Sequence, residues 1–122
     1  MASSWQMDVE IPRSGAAQFT LLLQDVDGGP VDLTGVAVAI EFRNESGDSA
    51  TLKTAGAESN DNVTGLFWTD QANGQALVTY YGSDFSALDG KYEVVRLSHK
   101  IRFTKAGDAP LLVFGRVNLL PE

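Results

Sequence analysis

The chain has 122 residues, 43% of them hydrophobic and 20% charged, enough for one globular domain with its own core and too short for a second. Nine Lys and Arg against sixteen Asp and Glu give a net charge of −7, so the phosphate attraction behind nucleic-acid affinity is missing and no nucleic-acid partner is expected. Cysteine is absent, which removes disulfides, a thiolate nucleophile and thiolate zinc sites. Met1 to Ile11 lacks a basic flank leading into a long apolar run, and no stretch nears the ~20 apolar residues of a membrane span. The expectation is a chain made in cytoplasm without a signal peptide, with no membrane partner, whose sequons Asn44-Glu45-Ser46 and Asn62-Val63-Thr64 stay unmodified.

The dominant period along the chain is two. Trp5, Met7, Val9 and Ile11 alternate with Gln6, Asp8 and Glu10, predicting a first strand with one apolar and one acidic face that Pro12 and Gly15 end. Residues 1–15 either pack at home or reach a neighbouring subunit. Phe19, Leu21 and Leu23 repeat the pattern with Leu22 on the opposite face, which predicts a central strand covered on both sides. Asp25 to Pro30 is dense in turn formers and reverses the chain. Val36, Val38, Ile40 and Phe42 then alternate with Ala37, Ala39, Glu41 and Arg43 as a half-buried strand.

Asn44 to Gly47 reads as a turn, Thr51 to Thr54 as a short strand and Gly56 to Asn62 as a polar, mobile loop. Leu66 to Thr69, Asn73-Gly74 and Gln75 to Tyr81 read as a hairpin, since Asn-Gly suits a turn that needs positive φ at both central positions. Ser83 to Gly90 is the one place for a helical turn, with Ser83 as cap and Gly90 as stop. Tyr92 to Leu97 and Ile101 to Thr104 form a further pair, and Leu111 to Leu120 a long last strand. Seven to nine strands with frequent turn signals predict an all-β, immunoglobulin-like antiparallel sandwich over residues 1–122.

Few residues carry a chemical signature. Gly90-Lys91-Tyr92 fits the corner where sandwiches hold a tyrosine against upstream backbone, a stabilising device without chemistry. Asp25, Asp27 and Asp32 around Gly28 offer oxygens to a hard cation, but a calcium loop needs a further ligand before its glycine and a distal glutamate, so the solvated turn is the plainer reading. His99, the only histidine, has no second imidazole or thiolate to share a metal and reads as an exposed turn residue between two strands. No motif asks for a cofactor or marks an enzyme. Trp5, Trp68, Tyr80 and Tyr81 are candidates for a platform that stacks on a host glycan, or else core and interface residues.

Charge is unevenly spread. Residues 1–61 hold three basic and ten acidic side chains, and residues 62–122 six of each. Lys100 and Arg102 share a strand face opposite Ile101 and Phe103, a basic stripe on an acidic molecule. It is either a solvated face that discourages edge pairing or one side of a head-to-tail contact between copies. Leu111, Leu112, Val113 and Phe114 exceed what one buried face needs, so Leu112 and Phe114 join Lys100, Arg102 and Trp5 as interface candidates, unless the strand is covered on both faces.

From about Phe19 onward the sequence resembles the amino-terminal domain of phage baseplate upper proteins. The likeness lies in Gln18-Phe19-Thr20-Leu21, the turn Asp25 to Pro30, the tetrapeptide Asp32-Leu33-Thr34-Gly35, the hairpin Asn73 to Tyr80, Asp84-Phe85 and Gly90-Lys91-Tyr92-Glu93-Val94. The resemblance implies an immunoglobulin-like fold used in virions as a multicopy adaptor that attaches tail or baseplate fibres. Its partners would be copies of itself and other virion proteins. A neck or collar component, a capsid decoration protein and a carbohydrate-binding sandwich module are the companion readings.

Overall fold

Period-two alternation has its physical outcome in two sheets that close their apolar faces on each other. The structure, a computed structural model, describes residues 4–25, 27–44, 51–59, 62–86, 88, 92–107 and 109–121. Nine strands are formed by them: β1 (Ser4–Gln6), β2 (Val9–Pro12), β3 (Ala16–Leu22), β4 (Ala37–Asn44), β5 (Thr51–Gly56), β6 (Gly65–Asp70), β7 (Gln75–Tyr81), β8 (Val95–Thr104) and β9 (Leu111–Leu120). The larger sheet runs β1-β9-β8-β4-β5, with β2 also on β9, and the smaller runs β3-β7-β6. All pairs are antiparallel except β1 and β2, which lie parallel to β9. With β3, β7 and β6 in the places of strands B, E and D, and β4, β5, β8 and β9 in those of C, C′, F and G, this is an immunoglobulin-like sandwich.

The core is the sum of the inward phases. Val9 and Ile11, Leu21 and Leu23, Ile40 and Phe42, Val78 and Tyr80, Leu97, Ile101 and Phe103, and Val113, Val117 and Leu119 are all buried. Tyr80 sits at its centre, edge-on to Phe19 at 5.4 Å and to Phe42 at 4.7 Å between ring centroids, in the T-shaped arrangement aromatic quadrupoles favour. Phe85 extends the cluster through Phe42 at 5.1 Å.

The long strands β4 and β9 form close to where the sequence predicts them, β4 from its alternation and β9 as the long last strand. Other expectations need correction. β3 is an edge strand, because β7 pairs it on one side and no described strand pairs the other, and Leu22 is 51% exposed. The hairpin loop is longer than Asn-Gly alone. Gln71–Asn73 make a 3₁₀ turn, the pairing shifts between Trp68 and Asp70, and only Gly74 has positive φ (69°), where a side chain would strike the carbonyls of Val31 and Leu23.

The second helical turn is Gly82–Phe85 with Tyr81 at its start, so Ser83 lies inside it and caps nothing. Strand β8 is continuous through Ser98-His99-Lys100, where two strands were expected, and it starts only at Val95. Tyr92 lies in the turn before it and is 74% exposed. Gly90, Lys91 and most of the Asn44 to Gly47 turn lie outside the described residues. Within the expected polar loop, Ala57 pairs with Leu66 and the Glu58 amide donates to the Leu66 carbonyl, linking the end of β5 to the smaller sheet.

Candidate functional site

Inward residues on β4, β8 and β9 leave the alternate set on the open face of the larger sheet. Strand pairing then fixes who stands beside whom: Lys100 opposite Phe114, Arg102 opposite Leu112, Ser98 opposite Arg116 on β9, and Ala39, Glu41 and Arg43 opposite Arg102, Lys100 and Ser98 on β4. Four sequence-derived candidates, Lys100, Arg102, Leu112 and Phe114, therefore meet as two cross-strand pairs. Phe114 is 41% exposed and Leu112 half-buried.

Arg43 and Arg116 belong to the same patch and were not picked out from the sequence, although their odd and even places in the alternation of β4 and β9 would have placed them there. Arg43 Nε lies 2.5 Å from Glu41 Oε1. Arg96 continues the basic row toward one end, while Asp8 and Glu10 stand on the flanking edge. The surface holds a depression of about 470 Å³ lined by Ser98, Gly115, Phe114, Lys100, Arg116, Arg43 and Glu41 among others. A smaller one of about 130 Å³ opens between Ala39, Arg43, Lys100 and Arg102. Cations around an apolar centre suit a macromolecular surface that carries carboxylates.

Behind this face lies a buried polar relay. His99 is 2% exposed, and its Nδ1 lies 2.8 Å from the Tyr80 hydroxyl and its Nε2 2.7 Å from the Met7 carbonyl oxygen. Burial pushes the Tyr80 hydroxyl far up, so it keeps its proton and donates to Nδ1. Nε2–H then donates to Met7. His99 is thus no exposed turn residue but a bolt joining the smaller sheet through Tyr80, β8, and the junction of β1 and β2 through Met7. Burial holds its pKa below the usual imidazole value, against the opposing effects of the Met7 carbonyl and Asp8.

The remaining candidates serve the fold. Trp5 faces inward with Val113, half-buried against the core, and not outward with the interface set. Trp68 packs on Phe103 at 6.1 Å, Tyr80 is fully buried and Tyr81 half-buried, so the four aromatics make no common platform. Asp25, Asp27 and Asp32 form no metal-holding group, and among the described residues no three His, Asp or Glu do. Asp32 Oδ1 instead accepts the Thr34 amide at 2.9 Å. Hydrogen bonds from the Thr34 side chain and amide, aided by Lys105, hold its carboxyl below the ordinary range.

Leu33 is buried, exchanging hydrogen bonds with Gln71 through its amide at 3.0 Å and its carbonyl at 2.8 Å. Gly35 takes φ of 80°. The Asp32-Leu33-Thr34-Gly35 motif is therefore a plug and turn. Elsewhere Lys53, Thr64 and Asp84 line a polar depression of about 360 Å³, with Lys53 Nζ 3.7 Å from Asp84 Oδ1 and the Thr64 hydroxyl donating to Asp84.

The fold and the face together define an immunoglobulin-like domain with a basic, apolar-centred outer sheet. No protein-family model and no curated protein matches the sequence. Among solved structures, a chain from the crystal structure of the ZIG-8–RIG-5 IG1–IG1 heterodimer is similar at 11% identity and a TM-score of 0.38, over 92% of this chain and 82% of that one.

Proposed function

We propose that the chain is a non-enzymatic structural protein of a tailed-phage virion, an adaptor of tail, baseplate or neck that assembles in several copies through the outer face of its larger sheet. One observation carries the reading: Phe114, a large apolar side chain left exposed on a sheet face, stands opposite Lys100 and lines one depression with Lys100, Arg43, Arg116 and the acid Glu41, while Arg102 stands in the next cross-strand pair. Aromatic and arginine side chains are what interface centres concentrate, and a solvated face has no use for the ring. The virion setting draws on the resemblance of the turn, tetrapeptide and hairpin sequences to baseplate upper proteins.

Mass spectrometry of purified particles of the encoding phage should find the chain at a fixed stoichiometry, and its absence from them would overturn the setting. The face has its own test. Phe114→Ser leaves the core intact and should weaken self-association in sedimentation roughly tenfold, the effect of removing about 1.4 kcal/mol of interface energy. Unchanged association would move the contact to another surface.

A further inference from the structure

We infer that the occupant of the basic outer face is the aspartate-bearing end of a second copy, docked head to face. The inference rests on reading that face as an assembly surface, and it names the partner. Five of the nine basic side chains, Arg43, Arg96, Lys100, Arg102 and Arg116, lie on the outer face of β4, β8 and β9, with Glu41 the one acid among the described residues of those strands. On a chain of net charge −7 such a face repels its own image. Two copies stacked face to face would bring these cations together, whereas an acidic occupant complements them.

The chain itself supplies that occupant. At one end of the sandwich the loop between β3 and β4 carries Asp25, Asp27 and Asp32, and the last residue of β6 adds Asp70, whose carboxylate accepts from the Asn73 side chain, with Lys105 the neighbouring cation. This end is built in advance. The Asp25 amide donates to the Gly29 carbonyl at 2.8 Å, the Gly28 amide to the Asp25 carbonyl at 2.9 Å, and the Asp32 carboxylate holds the Thr34 amide. Hydrogen bonds from Leu23 to Gly74 and from Leu33 to Gln71 stitch the loop to the turn after β6. Little ordering entropy is left to lose on docking. Because the acidic end and the basic face are different surfaces, the contact is heterologous, and each docked pair still offers one free end and one free face.

Two variants test this, both checked by circular dichroism for an unchanged fold. Lys100→Gln with Arg102→Glu discharges the face and avoids setting a new carboxylate opposite Glu41. Asp27→Lys with Asp32→Asn discharges the end and keeps an acceptor for the Thr34 amide. In sedimentation at ~100 µM and low salt, wild type should grow beyond dimers and dissociate as salt rises from ~0.05 to ~0.5 M. Each variant alone should be monomeric. An equimolar mixture should stop at a 1:1 complex, the intact end of one on the intact face of the other. If the end variant associates like wild type while the face variant does not, the inference falls and the face stands. If the face variant associates like wild type, or wild type stays monomeric, the head-to-face contact is overturned.

Discussion

Gly115→Ala should lower the stability of the domain by about 2–3 kcal/mol and free its first strand. A Cβ at Gly115 would lie 2.0 Å from the Met7 carbonyl oxygen and 2.6 Å from its carbon, both backbone atoms with no rotamer to escape through. The close approach has a cause. Ladder pairing stops between Gln6 and Val9 although the register on either side is the same, Gln6 beside Phe114 and Val9 beside Val117. In that gap the Met7 carbonyl turns to His99, and the Asp8 carboxylate accepts the Arg116 amide at 2.9 Å. Only a residue without a side chain admits this. Denaturant unfolding gives the stability loss, and hydrogen exchange should show residues 4–12 losing protection before β8. A Gly115→Ala protein as stable as wild type would mean that the Met7 backbone yields freely.

Replacing the buried imidazole should cost a similar amount. His99→Leu leaves the Tyr80 hydroxyl and the Met7 carbonyl unpaired in the interior, for a loss of about 3 kcal/mol, while Tyr80→Phe orphans only Nδ1 and should cost about 1–2 kcal/mol. The pH dependence follows from the lowered pKa of the folded ring. Below the ordinary value of 6.5 the unfolded chain takes up a proton that the folded chain refuses, so stability is full above that value and declines as pH falls toward the depressed one. Asp8 is the carboxylate that offsets this, and the Tyr80 hydroxyl stays neutral throughout. His99→Gln should flatten the stability profile between pH 7 and about 5.5, above the range where carboxylates titrate. Equal slopes in the two proteins would take His99 out of the acid response.

Alternation in the sequence was enough to place β4 and to put Lys100 and Arg102 on one face. The same rule holds at places where it was set aside. His99 keeps the phase of Leu97 and Ile101, yet Ser98-His99-Lys100 is polar enough to read as a turn, because the groups that satisfy the ring, on Tyr80 and Met7, come from strands distant in sequence. Trp5 shares the phase of Val9 and Ile11, which already points it inward, and Tyr80 that of Val78. Other features have no local signal. That Phe114 faces Lys100, that Leu112 faces Arg102, and that β3 lies at a sheet edge are properties of strand order, set by contacts between segments far apart along the chain. The aspartates of the β3–β4 turn suggested a cation because spacing alone cannot reveal that one carboxylate is already spent on Thr34.

The parallel course of β1 and β2 beside β9 has a mechanical consequence. Ser4 stands next to Leu112 and Pro12 next to Leu120, so the two ends of this strand pair emerge at opposite poles, roughly 26 Å apart at ~3.3 Å per residue. Tension applied between those poles loads the pair in shear, straining its hydrogen bonds together instead of opening them one by one.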